Sequence, residues 1–296
     1  PICYTAESAP IPPDLAAKLV TLARPAPLSP LDAEKQQMEA FAQARLRWFQ
    51  GRTEELKQLV GFINATGDET TRLAVVVAEP GQGKSALLAK LAAWIPQPST
   101  FLIAHFVGAT ERSASAHALI ERLLGELDRS GIEWPAQDRK EGRDFDGLCR
   151  QLTRRLAEYA GERRIVILLD AVNQLSDGHD LAWLPHRLGS SVRVVVSCVE
   201  DGSQQRVLHA LDSRQLGYLS VSLGPLTAND VRTIVSAYLQ EYCKELDVPH
   251  VNAICSMSQA RNPLYLLVML GELRTLGGDR MNETVGELIR SMPQNH

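Results

Sequence analysis

The chain has 296 residues, of which 45% are hydrophobic and 22% charged, so it has enough core material for one large or two ordinary domains. A net charge of −4 gives no overall attraction to nucleic acid or to acidic membranes, although it leaves a local basic patch open. No apolar run approaches the roughly 18 residues of a membrane span, and no secretory signal precedes the first helix. The five cysteines form no Cys-x-x-Cys pair, which predicts reduced thiols in an intracellular protein.

The N-terminal region is dominated by proline, with seven prolines among the first thirty residues. Because proline blocks long helices, residues 1–30 are expected to form a linker or an arm that lies on a neighbour. Two helices are predicted next, over Leu31 to Trp48 and over Glu54 to Ile63. The first helix and the residue that follows it offer four apolar contacts: Met38, Phe41, Leu46 and Phe49.

A strand, a glycine-containing turn and a helix follow one another in the next segment. The β-branched run from Leu73 to Val77 predicts a buried strand, and Ala86 to Leu91 consists of good helix formers. This is the context that a phosphate-binding loop of the pattern G-x-x-x-x-G-K-[ST] requires, so a chance glycine turn before Lys-Ser is the weaker alternative. Ala78 replaces the first glycine, which is tolerated only if its φ is not positive.

The predicted loop has a specific chemistry. Gly81 and Gly83 let backbone N–H groups point inward at a phosphate, and the helix N-terminus adds its positive dipole end. Lys84 would supply a charge for the β- and γ-phosphates, and the Ser85 hydroxyl could ligate Mg²⁺. The predicted nucleotide-binding residues of the loop are Glu79, Pro80, Gly81, Gln82, Gly83, Lys84, Ser85 and Ala86.

Strands and helices alternate further along the chain. Four more strands are predicted: Phe101 to Val107, Arg164 to Asp170, Val192 to Cys198 and Tyr218 to Leu223. Helices between them are predicted over Ala114 to Leu127 and Phe145 to Tyr159. Apolar strands that alternate with helices indicate an α/β fold, a five-stranded and mainly parallel sheet sandwiched by helices.

The pattern becomes wholly helical after Thr227. Four helices are predicted there: Ala228 to Tyr242, Val251 to Gln259, Pro263 to Leu276 and Val285 to Met292. We therefore expect a nucleotide-binding α/β domain over residues 31–226 and a small all-helical domain over residues 227–296.

The third strand carries a second chemical signal, because it ends in Asp170, at the edge where parallel sheets bind ligands. Beside a phosphate loop, this carboxylate would hold Mg²⁺ directly or through water; a cap on the following turn is the alternative. Lys84 and Asp170 are the catalytic candidates, and Ser85 and Asp170 the metal ligands. The next residue is Ala171 and not a glutamate that could activate water, which favours tight binding with slow turnover.

Several segments together resemble one family. They are Glu39 to Leu56, Ala78 to Leu88, His105 to Thr110, Leu168 to Leu175, Trp183 to Pro185, Val192 to Cys198, Gly224 to Val231 and Ala260 to Gly277. On these segments the chain resembles a NACHT-type signal-transduction NTPase of the AAA+-like phosphate-loop class, most of all the nephrocystin and telomerase-protein-component group. The resemblance covers about residues 39 to 290.

This resemblance implies bound ATP or ADP with Mg²⁺, a central phosphate-loop strand and a helical lid. In the family, a Gly-Arg box such as Gly51-Arg52 flanks the base, and the lid approaches it at a proline that Pro263 matches. Many members carry an arginine phosphate sensor at the end of the fourth strand, where this chain reads Ser197-Cys198-Val199, so that sensor is absent or supplied elsewhere. The winged helix that usually follows the lid has no counterpart in these residues.

Two functions remain open at this point. The first is a nucleotide switch with slow hydrolysis that controls assembly of a larger multidomain protein, through protein partners or self-association. The second is a structural module that keeps the fold without turnover. Ala78, Ala171 and Val199 favour the second, whereas the retained Gly83-Lys84-Ser85 and Asp170 favour the first. A metabolic kinase is disfavoured because no acceptor-substrate motif is present.

Other charged residues receive simpler interpretations. The seven histidines lack metal-ligand spacing and are expected to be structural or exposed. Arg150, Arg154 and Arg155 are expected to form a solvated helix face, with an arginine finger as the alternative. Arg187 and Arg193, which flank the fourth strand, are expected to be better placed for the phosphate of a neighbour.

Overall fold

The structure is a computed structural model that describes residues 28–67, 71–96, 99–134, 144–178, 180–199 and 206–275, together with residues 142, 283, 286, 287 and 291. Almost all of the proline-rich arm and most of the helix predicted at 285–292 lie outside the described residues. None of the helices in the described ranges has the length and apolar character needed to cross a membrane.

The centre of the fold is a five-stranded sheet in the order β2-β3-β4-β1-β5, with every neighbouring pair parallel. The strands are β1 (Leu73–Ala78), β2 (Thr100–Phe106), β3 (Arg164–Asp170), β4 (Val192–Val199) and β5 (Leu219–Ser222). The five predicted parallel strands are confirmed. The loop strand β1 is interior but not central, because β4, whose eight residues are all buried, takes the middle position and the short β5 forms an edge.

The helices are α1 (Pro30–Leu46), α2 (Thr53–Asn64), α3 (Lys84–Trp94), α4 (Ala116–Asp128), α5 (Phe145–Glu158), α6 (Arg206–Ser213), α7 (Ala228–Glu241), α8 (Val248–Ser256) and α9 (Pro263–Leu273). Helix α6 was not predicted from the sequence, because its only fully buried positions are Val207 and Leu211. Helix α1 begins as its sequence favours: Ser29 accepts a hydrogen bond from the Asp32 amide, and Pro30 occupies the first turn.

Alternating residues of the strands send side chains to opposite faces of the sheet, and each face has its own apolar core. Val75 of β1 joins a core with α4 and α5, while Val76 joins a second core with α1, α2 and α3. Helices α7, α8 and α9 enclose a third core of their own, against which Trp48 packs. We refer to α7–α9 as the C-terminal helices.

Two predictions about arginines are wrong. Arg155 is 4% exposed, pairs with Asp128 at 2.8 Å and lies 5.0 Å from the Trp134 ring centroid, because it fills the gap between α4 and α5. Its neighbour Arg150 is exposed as expected. Arg193 is 1% exposed and donates to the backbone carbonyl of Phe62 at 3.2 Å, so it is not available to a neighbour.

These contacts of Arg193 form part of a clamp on the last turn of α2. Arg193 also donates to the Ala65 carbonyl, and Arg164 at the start of β3 donates to the Ile63 carbonyl. The final carbonyls of a helix have no partner within the helix, so these guanidinium groups satisfy them and oppose the negative end of the dipole. The C-terminal end of α2 is thereby fixed to the amino-terminal edge of the sheet.

Candidate functional site

The glycine loop, residues 79–83, joins β1 to α3 at the carboxyl edge of the sheet. Ala78 is fully buried as the last residue of β1 and is not among the residues with positive φ, so the condition for replacing the first glycine is met. Gly81 and Gly83 have φ values of 80° and 89°, which residues with a Cβ rarely adopt. Helix α3 begins directly afterwards, so its N-terminus faces the space that the loop surrounds.

Lys84 is the first residue of α3 and is 9% exposed. Its Nζ donates to the Ala78 carbonyl at 2.8 Å and to the Glu79 carbonyl at 3.0 Å. Burial lowers the pKa of Lys84, and the negative charge of Asp170 opposes that shift. The loop therefore holds a partly desolvated ammonium group next to a buried carboxylate.

Asp170 is 2% exposed at the end of β3, and polar and charged side chains surround its carboxylate. Burial raises the pKa of Asp170, while hydrogen bonds from the Ser197 and Ser85 side chains and the charges of Lys84 and Arg45 lower it. Ser197 Oγ donates to Asp170 Oδ1 at 2.6 Å. On balance the pKa of Asp170 is raised, because the hydrogen bonds and positive charges around its carboxylate do not fully offset the effect of burial.

The role of Ser197 was missed by sequence reasoning. It is a fully buried polar residue inside the apolar run of β4, and its Oγ also accepts the Ala171 amide at 2.8 Å. Ala171 has a positive φ of 54°, so this hydrogen bond fixes a strained turn directly after Asp170. A single hydroxyl after the apolar run Val194 to Val196 of β4 was the available signal.

The oxygen atoms near Asp170 fit a magnesium ion. Ser85 and Asp170 line the same cleft, and the Ser85 hydroxyl is close enough to the Asp170 carboxyl to lower its pKa, so the two predicted ligands are near each other. Mg²⁺ prefers a few oxygen ligands from the protein, with waters and substrate phosphates completing its shell. A cation here would also supply the charge that the buried carboxylate lacks.

One cleft of about 410 Å³ contains most of the predicted site residues. Residues 80–86 of the loop and α3, Asp170, Arg52 and Pro263 all line it, and Trp48 and Leu226 contribute apolar walls. This volume is within the usual range for small-molecule sites. Two predicted residues do not line it: Glu79 is exposed, and Gly51 lies against Asp230, whose Oδ1 would be 2.6 Å from an added Cβ.

The Gly51-Arg52 pair reaches the glycine loop from the start of α2. Both residues adopt left-handed backbone conformations, with φ values of 71° and 60°. Arg52 Nη2 donates to the Gln82 carbonyl at 3.3 Å, and its Nη1 pairs with Glu55 at 3.4 Å. Arg52 therefore links the start of α2 to the glycine loop, and its side chain lines the cleft.

The C-terminal helices contact the same loop through the first turn of α9. Asn262 is its N-cap: Oδ1 accepts the amides of Leu264 and Tyr265, and Nδ2 donates to the Pro80 carbonyl at 3.0 Å. The Leu264 amide also lies 3.3 Å from the Gly81 carbonyl, to which it donates. The glycine loop and the C-terminal helices are therefore joined by direct hydrogen bonds that the sequence did not predict.

Two acidic or amide groups near Asp170 have different surroundings. Gln174 lines the cleft. Asp177, a carboxylate in the segment after β3, accepts a hydrogen bond from the Ala116 amide at 2.5 Å at the start of α4 and does not line the cleft.

Comparisons with known proteins agree with this geometry. The AAA ATPase domain family matches residues 49–197, which is 149 of the 296 residues. A TPR repeat-containing protein of Dictyostelium discoideum is 22% identical over 73% of this chain and 15% of its own length. Telomerase protein component 1 of Rattus norvegicus is 26% identical over 75% of this chain and 9% of its own length. Nephrocystin-3 of Xenopus laevis is 29% identical over 69% and 15%, respectively.

Among solved structures, a Walker-type ATPase of Pyrococcus abyssi superposes with a TM-score of 0.53 at 16% identity, covering 80% of this chain and 71% of that one. This likeness shows the fold. The chain spans well under a fifth of the length of the curated relatives named above. On the match over half of its residues, the chain belongs to the AAA ATPase domain family, within the NACHT and AAA+-like group of phosphate-loop NTPases that its motifs resemble.

Proposed function

We propose that the chain binds ATP or ADP with Mg²⁺ and acts as a slowly hydrolysing nucleotide switch within a larger multidomain protein. The observation that carries this proposal is the composition of the cleft. Lys84, Ser85 and Asp170 from the sheet edge line the same space as Pro263 and Leu264 from the C-terminal helices.

Each group has a role that its chemistry allows. Lys84 and the N–H groups of residues 81–86 would bind the β- and γ-phosphates, with α3 adding its dipole. Ser85 and Asp170 would hold the Mg²⁺ ion, which when bound neutralises phosphate charge. Arg52 and Pro263 both line the cleft and would enclose the base.

Slow hydrolysis follows from the groups that surround Asp170. The lining residues next to it are Ala171, Val199 and Gln174, and none of these side chains is a base at neutral pH. Asp177 is engaged in capping α4. We expect turnover well below the ~1 to 10³ s⁻¹ common for enzymes, measured as phosphate release by the purified chain. Rapid turnover would require a base outside this set.

The switch role rests on the contacts between the glycine loop and α9. A ligand shifts a conformational equilibrium only if it binds one arrangement better than the other. A nucleotide held between Arg52 and Pro263, with its phosphates on a loop that Asn262 contacts, meets that condition. We propose residues 31–226 as the nucleotide-binding domain and 227–296 as its lid. Because the relatives are much longer and one is named for TPR repeats, we propose protein partners or self-association as the readout.

The test is calorimetric titration of ADP with Mg²⁺ into three proteins: wild type, Lys84→Ala and Lys90→Ala. Lys84 makes charge-assisted contacts, so its loss should weaken binding at least about tenfold. Lys90 is the matched control, because it lies on the same helix over the Trp94 ring and outside the cleft. Equal affinity in wild type and Lys84→Ala would contradict nucleotide binding by this loop.

A hydrolysis-deficient structural module is the second candidate. It is favoured by the apolar Val199 and Ala171 in the cleft, where a sensor and a base could have stood. Tight ADP binding with no measurable phosphate release, and no change in amide exchange of residues 260–266 on binding, would support this candidate over the switch.

A further inference from the structure

Arg45 is a cationic residue of the cleft that the proposed function has not used. It lies in the last turn of α1 and lines the cleft with Lys84, Ser85 and Asp170. Its guanidinium carbon is 4.3 Å from the centroid of the Phe41 ring. The cation–π contact holds the side chain in place and leaves the edge of its guanidinium group available for hydrogen bonds.

The position of Arg45 relative to the sheet follows from a short chain of contacts. The Phe41 ring lies 5.2 Å from the ring of Phe106, the last residue of the edge strand β2. Phe106 stands opposite Asp170 in the β2–β3 register. Arg45 therefore sits near the ends of β2 and β3, and its charge is close enough to Asp170 to lower the pKa of that carboxyl.

Arg45 also differs from the other arginines around it in its partners. Arg47, two residues along, pairs with Glu241 and lies 5.2 Å from the Trp48 ring centroid. Arg52 is engaged by Glu55 and by the Gln82 carbonyl. Within the described part of the chain, Arg45 has neither an ion pair nor a hydrogen bond to a protein group. Its five N–H donors are thus directed at no protein acceptor there.

The order of the strands decides which phosphate such a group would meet. The glycine loop follows β1, whereas Asp170 ends β3, two strands away in the order β3-β4-β1. Neighbouring strands are about 4.8 Å apart, so a nucleotide whose first phosphates rest on the loop extends its terminal phosphate toward Asp170. A cation on the β2–β3 side is then within reach of the third phosphate and remote from the first two.

We propose that Arg45 binds the terminal phosphate of a nucleoside triphosphate and makes the cleft prefer a triphosphate over a diphosphate. The proposal rests on the proposed nucleotide binding. A guanidinium group suits this task because its planar fork can donate two parallel hydrogen bonds to one phosphate. Arg45 would fill from α1 the role for which the end of β4 offers only the apolar Val199.

The experiment measures the affinity of ADP and of a non-hydrolysable ATP analogue, both with Mg²⁺, by calorimetry. The proteins are wild type, Arg45→Ala, Arg45→Lys and the control Lys35→Ala. Lys35 is an exposed cation on the same helix and outside the cleft, so its variant removes equal charge elsewhere. Because Arg45 is itself exposed, its variants should fold, and circular dichroism checks this.

We expect Arg45→Ala to weaken the ATP analogue at least about tenfold and to change ADP affinity less than twofold. Arg45→Lys should recover part of the loss, since it keeps the charge but not the fork. Lys35→Ala should match wild type. If wild type binds both nucleotides and Arg45→Ala leaves their affinity ratio unchanged, the inference is wrong while the proposed function stands. If wild type binds neither nucleotide, the proposed function is wrong and this inference with it.

Discussion

Asn262 performs two tasks with one side chain, and two substitutions can separate them. Its Oδ1 caps α9, and its Nδ2 donates to the Pro80 carbonyl of the glycine loop. Asn262→Ser keeps a good capping oxygen but is too short to reach Pro80. Asn262→Ala removes both the cap and the contact with the loop.

The expected losses can be worked out from these bonds. The contact with Pro80 is exposed to solvent, so we assign it about 0.5–1 kcal/mol, the lower part of the usual range. An N-cap contributes about 1 kcal/mol more. The free energy of unfolding should therefore fall by about 0.5–1 kcal/mol in Asn262→Ser and by about 1.5–2 kcal/mol in Asn262→Ala.

Denaturant unfolding followed by circular dichroism measures the losses, and amide exchange of residues 78–86 reports on the loop. Both variants should accelerate exchange in that segment. Asn252→Ser is the control: Asn252 accepts a hydrogen bond from Arg232 within the C-terminal helices, away from the loop. If the Ser variant exchanges like wild type at residues 78–86, Asn262 does not couple α9 to the loop, and the reasoning is refuted.

Two further predictions concern buried groups. Burial lowers the pKa of His105 to about 4 from 6.5, so the unfolded chain binds more protons between those values, and stability is lost as pH falls through this window. His105→Gln should remove about 2 kcal/mol of that pH dependence, measured as the difference from wild type in unfolding free energy between pH 7 and pH 4.5. Gly81→Ala should destabilise by about 1–3 kcal/mol, because its φ is 80° and its Cβ would lie 2.6 Å from Asn262 Oδ1. Adding Asn262→Ala should restore only the steric part, which a double-mutant cycle on unfolding free energy would reveal; a fully additive cycle would contradict the clash.

Local patterns were sufficient to predict the strand-loop-helix segment and the acidic end of β3. The sequence signals of a buried strand and of its turn lie in consecutive residues, so Lys84 and Asp170 could be identified without knowing how the elements pack. Parallel pairing then brings the carboxyl ends of strands to one edge, which is why Ser85 and Asp170 line the same cleft.

The contacts that depend on packing between distant segments could not be predicted. Ser197 supports Asp170 only because β4 lies beside β3, and Asn262 reaches Pro80 only because α9 folds back over the loop. Burial of Arg155 and Arg193 likewise depends on neighbours that are distant in sequence. Because arginine is charged, both residues were expected to be exposed. A long arginine side chain can instead be buried when its N–H groups donate hydrogen bonds to backbone carbonyls or pair with a carboxylate.

The clamp on α2 lets a change at one end of this helix affect the glycine loop at the other end. A helix of 12 residues is about 18 Å long, and α2 carries Arg52 on the glycine loop at one end and the contacts of Arg164 and Arg193 at the other. If α2 tilts at its C-terminal end, its N-terminal end and Arg52 move as well. Substitution of Arg164 or Arg193 would therefore weaken the proposed nucleotide binding, although neither residue lines the cleft. A variant at this remote edge could be mistaken for a harmless surface change until its bound nucleotide is measured.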